Sequence, residues 1–115
     1  MPLLKLETTV ALSETKRNAL LGSLSKLVAE GIGKPEQYVL VTAQHTPMLM
    51  SGKPGDAAFV DIRSIGGLSG DVNCRLSQKV CEVLKEHLSI APERVYLNFT
   101  DVKATHWGWN AATFG

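Results

Sequence analysis

One plan of elements is written twice along this chain, and that repetition limits the folds open to it. Residues 3–10, LLKLETTV, alternate apolar and polar. Leu4, Leu6 and Val10 share one face while Lys5 and Glu7 take the other, which is the period of a strand. Ser13 then stands where it can cap a helix through residue 30, with the apolar stripe Leu20, Leu21, Leu24, Leu27 and Val28. Gly31 and Gly33 supply the stop, and Pro35 follows where a helix cannot continue. The β-branched run from Tyr38 to Ala43 predicts a second strand.

The same order returns further on. AAFVDIRSI, 57–65, reads as a strand, and GGLSGD, 66–71, as a turn feeding a helix. From about 72 to 88 the stripe Leu76, Val80, Val83, Leu84 and Leu88 marks an amphipathic helix. Pro92 then precedes RVYLNFTD, 94–101, another strand, and Pro35 and Pro92 set the two halves at an offset near 57. A strand–helix–strand unit used twice predicts an α+β fold: two pseudo-symmetric β-α-β units forming a four-stranded mixed sheet with both helices on one face. The 115 residues make a single domain, with halves near 2–55 and 57–107 and a tail, 108–115.

A sheet covered on one face leaves the other to be explained. Val95, Leu97 and Phe99 should lie under the helices, with Tyr96, Asn98 and Thr100 on the far side. Phe59, Asp61 and Arg63 join that far side from the third strand if the register matches. The result is too aromatic to be simply wet and too polar to be core, which points to burial against another subunit or around a ligand. The tail adds Trp107, Trp109 and Phe114, which also need cover, so self-association is the economical solution.

Charge narrows the function. Twelve basic side chains against eleven acidic ones, spread without blocks, argue against a nucleic-acid or anionic-membrane binder. No stretch reaches the roughly 20 apolar residues that span a bilayer. The start has no basic leader, and Lys5 and Glu7 interrupt its apolar run, so the expected compartment is the cytoplasm. Cys74 and Cys81 fall on one helix with backbones about 10 Å apart, too far for a disulfide, and read as buried free thiols.

Several residues carry potential chemistry. Pro2 follows the initiator Met; trimming that Met exposes a secondary amine, whose charged form apolar walls and a nearby cation would disfavour. A neutral amine is a serviceable general base, although Pro2 read alone simply starts a strand. Lys34 sits between the helix stop and the second strand, where sites collect, or is merely exposed. SIGGLSG, 64–70, joins a strand end to a glycine turn and helix start, a geometry that binds anions, but it lacks the lysine and spacing of a phosphate loop. Tyr96 and Asn98 share a strand face, suited to a polar substrate or to cross-strand bonding. His45, His87 and His106 are scattered without ligand spacing, so no metal is expected.

Taken together, these blocks resemble the macrophage migration inhibitory factor family of the tautomerase superfamily. The opening MP, GKPEQYV (33–39), SIGG (64–67), RVYLNF (94–99) and GWNAATFG (108–115) stand in family order across essentially the whole chain. The resemblance implies a homotrimer with three active sites at subunit interfaces and a processed N-terminal proline as base and acid in keto–enol tautomerisation. On this chain Pro2 would move the proton. Lys34 and the backbone around Ile65 would hold a substrate carboxylate. Tyr96 and Asn98 would arrive from the neighbouring subunit, and Ile65, Trp109 and Phe114 would wall an aromatic ring. The implied substrates are phenylpyruvate, hydroxyphenylpyruvate and dopachrome-like compounds, with no cofactor. The family's competing role is cytokine-like: a signalling or host-modulating protein acting on a receptor, reached by non-classical export. This sequence departs from the pattern at Ala57-Ala58-Phe59-Val60, where animal members carry Cys-x-x-Cys, which removes the thiol oxidoreductase reading. Leu12 replaces an arginine linked to receptor binding, and Trp107 and Ser51 replace smaller residues near the pocket and in a loop.

Overall fold

The computed structural model describes residues 1–115. Strand β1 is Leu3–Thr8, helix α1 Glu14–Ile32, β2 Leu40–His45, β3 Ala58–Ser64, α2 Gly70–Leu88 and β4 Val95–Asp101. The tail folds back as a two-stranded hairpin, β5 Gly108–Trp109 and β6 Ala112–Thr113. The sheet order is β2-β1-β3-β4, with β1/β2 and β3/β4 parallel and β1/β3 antiparallel between them. This is the α+β double β-α-β architecture with a mixed sheet.

The repeat is closer than the prolines indicate. Within each half the parallel partners lie 37 residues apart, Leu3 with Leu40 and Ala58 with Val95. Corresponding strands of the two halves start 55 residues apart and the helices 56, against the 57 separating Pro35 and Pro92. Both helices run 19 residues and both begin behind a serine. The Ser13 hydroxyl accepts from the Lys16 N–H and the Ser69 hydroxyl from the Val72 N–H, each satisfying a donor the helix cannot. Ser69 therefore starts α2 at Gly70, about two residues ahead of the start near 72 that the apolar pattern predicts.

Other boundaries shift for local reasons. Strand β1 ends at Thr8 and does not continue to Val10. The Thr8 hydroxyl donates to the Ala57 carbonyl (2.9 Å) and accepts from the Val10 N–H (3.2 Å), turning the chain out of the sheet. The second strand begins at Leu40, because Glu36–Tyr38 form a 3-10 turn behind Pro35. Tyr38 thus leaves the sheet for the loop above it.

The core lies between sheet and helices. Leu4 and Leu6 of β1 and Val60 and Ile62 of β3 are fully buried against Leu20, Leu24 and Val28 of α1 and Val80 and Leu84 of α2. Each such side chain contributes about 1.5–3 kcal/mol by leaving water. Leu21 and Leu27 are only half-buried, at the margin of their stripe. The helices meet where Gly31 faces Leu76; a Cβ at Gly31 would collide with the leucine side chain. Cys81 is half-buried, but Cys74 is exposed on the first turns of α2, which corrects its expected burial.

The far sheet face carries the residues anticipated for it. Phe59 pairs with Tyr96, Asp61 with Asn98 and Arg63 with Thr100. Tyr96 is 66% exposed and Leu40 of β2 59% exposed, so this face is open and partly apolar.

Candidate active site at the chain start

Pro2 stands one residue ahead of β1, the inner strand between β2 and β3. No ladder donor is lost there, and its carbonyl accepts from the Leu40 N–H at 3.1 Å. The Pro2 side chain is buried, and with Met1 it forms the floor of a recess of about 300 Å³. Tyr38, Trp107, Trp109 and Phe114 supply the aromatic walls.

The tail holds those walls by its own geometry. Gly108 pairs with Thr113 and Trp109 with Ala112 around a turn whose Asn110 and Ala111 both have positive φ, 52° and 64°. The Phe114 N–H donates to the Trp107 carbonyl at 3.1 Å. Trp109 and Phe114 stack with centroids 5.9 Å apart and planes 9° from parallel. Across the recess, Tyr38 meets Trp109 edge-on at 6.4 Å.

Electrostatics mark two places, the chain start and the Cys81 thiol, which burial pushes up. The terminal amine, carried here by Met1, is held below its ordinary value of 8.0, first by burial and then by the charge of Lys34. Both causes favour the neutral base. With Met1 attached, the Pro2 nitrogen is an amide and holds no basic lone pair. Loss of Met1 would move the amine one residue, about 3.8 Å of chain, toward the recess floor.

Lys34 leaves α1 just after Gly33, the left-handed cap at φ 77°. The chain's one ion pair joins Arg63 to Asp61, so the Lys34 ammonium is not neutralised by a carboxylate. Its stem runs beside the loop after β3. A Cβ at Gly67 (φ 81°) would lie 3.7 Å from Lys34 Cε and 2.5 Å from Ile32 Cγ2, so only glycine fits this approach. Ile65, half-buried, starts that loop. The loop's anion-binding capacity is partly committed, since the Gly66 N–H already donates to Asp101 Oδ1 at 3.1 Å.

Tyr96 and Asn98 are not brought to Pro2 within the chain. Tyr96 aligns through Phe59 with Glu7, roughly 16 Å along β1 from Pro2. It borders a separate recess of about 410 Å³ with Phe59, Met48 and Met50. Asn98 aligns through Asp61 with Lys5 and lies on the same open face. Both residues are two strands away from Pro2.

Two contributors escaped sequence reasoning. Tyr38 reads as the start of a strand, and only the Pro35 turn carries it to the recess. Asp101 reads as the end of a strand, and nothing local marks its link to Gly66. Trp107, singled out as a departure beside the pocket, does line the recess. No three histidine, cysteine, aspartate or glutamate side chains converge to ligate a metal ion. No helix is long and apolar enough to cross a membrane. The recess offers a partly buried amine and aromatic walls, with the unpaired Lys34 near enough for its charge to act on the amine though not among the lining residues: a setting for proton transfer on an anionic, ring-bearing molecule.

Comparison with known proteins gives a consistent picture. A family model described as macrophage migration inhibitory factor (MIF) matches residues 1–115. The macrophage migration inhibitory factor of Meriones unguiculatus is 35% identical over 115 residues, covering 99% of both chains. The crystal structure of a macrophage migration inhibitory factor homologue from Prochlorococcus marinus superimposes with a TM-score of 0.93 at 38% identity, over 98% of this chain and 99% of that one. A macrophage migration inhibitory factor-like protein from Entamoeba histolytica gives a TM-score of 0.94 at 30% identity, over 98% of each chain.

Proposed function

Because the chain belongs to the macrophage migration inhibitory factor family, within the tautomerase superfamily, we propose that it is a keto–enol tautomerase whose base and acid is the Pro2 amine freed by removal of Met1. The observation that carries this reading is the terminal amine, here on Met1 beside Pro2: burial and Lys34 hold it toward its neutral form in the lining of an aromatic recess.

In the ketonisation direction Pro2 accepts the enol O–H proton, the C=C pair shifts to carbon, and the carbon takes a proton back from the prolinium. The reverse sequence forms the enol. No atom or electron is gained or lost, so the step needs no cofactor. Charge accumulates on oxygen during transfer, and a cation nearby stabilises it. Lys34, with the backbone around Ile65, pairs with the substrate carboxylate. Trp109, Phe114 and Ile65 receive the ring, which favours phenylpyruvate, hydroxyphenylpyruvate or a dopachrome-like compound.

Proteins of this family are typically homo-oligomers. A homotrimer would cover the open face that carries Phe59, Tyr96 and Leu40, and would let Tyr96 and Asn98 of one subunit reach the Pro2 recess of the next. Their distance from Pro2 within one chain supports that arrangement.

The test uses protein whose loss of Met1 is verified by intact mass, assayed for ketonisation of an aryl pyruvate panel and dopachrome. Pro2→Gly, or one residue inserted before Pro2, is expected to abolish turnover while preserving the assembly. Full activity in either variant would overturn the mechanism.

A further inference from the structure

The loop between β3 and α2 has little to hold it. Gly66 and Gly67 follow one another at positive φ, 72° and 81°, and both are exposed. Three hydrogen bonds define its course. The Ser64 hydroxyl donates to the Gly66 carbonyl at 2.7 Å, and the Val102 N–H donates to the Ser64 carbonyl at 2.9 Å. Asp101 Oδ1 accepts from the Gly66 N–H at 3.1 Å, reaching across from the end of β4. Gly67, held by this bracing, is the surface against which Ile32 and the Lys34 stem pack.

We propose that Asp101 is a positioning residue for substrate binding: by fixing Gly66 it sets the Ile65–Gly67 backbone and, through Gly67, the place of the Lys34 ammonium. The inference rests on the reading of Lys34 as the partner of the substrate carboxylate. Asp101 touches no substrate; its role is geometric. The glycines supply the close approach and, being flexible, cannot keep it without a tether. A side-chain oxygen that accepts from the Gly66 N–H supplies such a tether by its position.

A purely electrostatic role predicts the opposite sign. Asp101 is an anion near an anion-binding site, so removing its charge would by itself tighten carboxylate binding. Three substitutions separate the two accounts. Asp101→Asn keeps an acceptor at Oδ1 and loses the charge; Asp101→Glu keeps the charge and misplaces the acceptor; Asp101→Ala loses both. With Met-free protein and phenylpyruvate, Asp101→Ala and Asp101→Glu are expected to raise KM about threefold to tenfold with kcat within about twofold, and Asp101→Asn to stay near wild type. Should Asp101→Ala fail to fold, the Glu and Asn pair carries the comparison. An unchanged or lowered KM in Asp101→Glu, or a KM in Asp101→Asn raised as far as in Asp101→Glu, overturns the inference and leaves the tautomerase reading intact. Absence of ketonisation in the wild-type chain overturns both.

Discussion

The ring of Tyr38 stands edge-on to Trp109, planes 87° apart, joining the loop after α1 to the C-terminal hairpin. Trp109 is 59% exposed yet touches Phe114 on one side and Tyr38 on the other. Its burial is too slight to make it a core residue, so its value lies in shaping the recess. Aromatic pairs of this kind are worth about 0.5–1.5 kcal/mol beyond the area they cover. Trp109→Ala is expected to lower kcat/KM for aryl pyruvates about tenfold and stability by about 1 kcal/mol, read by steady-state kinetics and denaturant unfolding. A large loss of stability with unchanged kinetics would place Trp109 in the fold and not in the site.

The depressed amine fixes the sign of two pH effects. A lowered folded-state value means the unfolded chain binds the proton more readily between that value and 8.0. The contribution to stability is therefore complete above 8.0 and is lost as pH falls through the folded value. In Met-free protein kcat/KM should rise with pH along an acidic limb whose midpoint lies below the ordinary terminal-amine value. Burial is the larger cause and Lys34 the smaller, so Lys34→Ala is expected to move that midpoint up only part of the way. The pH–rate profiles of the two proteins check this; coincident midpoints would detach Lys34 from the amine.

Much of this was readable in the sequence because periodic burial leaves a local trace. Leu4 and Leu6 alternate because β1 has one covered face, and Leu76, Val80 and Leu84 recur because α2 has one covered stripe. Ser13 marks the start of α1. Its end lies at Ile32, beyond the residue 30 expected, because Gly31 stays helical against Leu76 and only Gly33 caps it. Phe59, Asp61 and Arg63 line up with Tyr96, Asn98 and Thr100 as their alternation requires. What was illegible depends on contacts between distant residues. Asp101 meets Gly66 across 35 positions, and Arg94 reaches carbonyls 38 to 44 positions away. Cys74 lies on an uncovered side of α2, which helical position alone does not reveal. Pro2 stands out locally as an amine that loss of Met1 would free, but its pattern is also that of any strand start, and only the resemblance decides between the two.

The open sheet face gives an assembly prediction. Phe59 and Tyr96 are paired across β3 and β4 and stay exposed in the single chain, as does Leu40 on β2. Phe59→Lys places a charge in that patch without touching the helix-facing core. The expected result is a smaller species in sedimentation or light scattering, with native circular dichroism and with tautomerase activity reduced at least about tenfold. Retention of the wild-type mass would place the subunit contacts elsewhere.

Arg94 offers a stability test remote from Pro2. It precedes β4, and its guanidinium donates to the carbonyls of Met50, Lys53, Gly55 and Asp56 at 3.1–3.3 Å. Those carbonyls belong to a loop whose Ser51, Gly52 and Gly55 all have positive φ and which has one isolated bridge, Met50 to Lys53. A planar group with five donors can satisfy four acceptors in a way that a lysine ammonium cannot. Arg94→Lys is therefore expected to lose most of this bracing, at a cost of about 1–3 kcal/mol, and Arg94→Met slightly more. Hydrogen exchange should quicken across residues 50–56 while protection at β1 and α1 is unchanged. If Arg94→Lys matches the wild type in both unfolding and exchange, the loop is held by its own turns and the guanidinium is incidental.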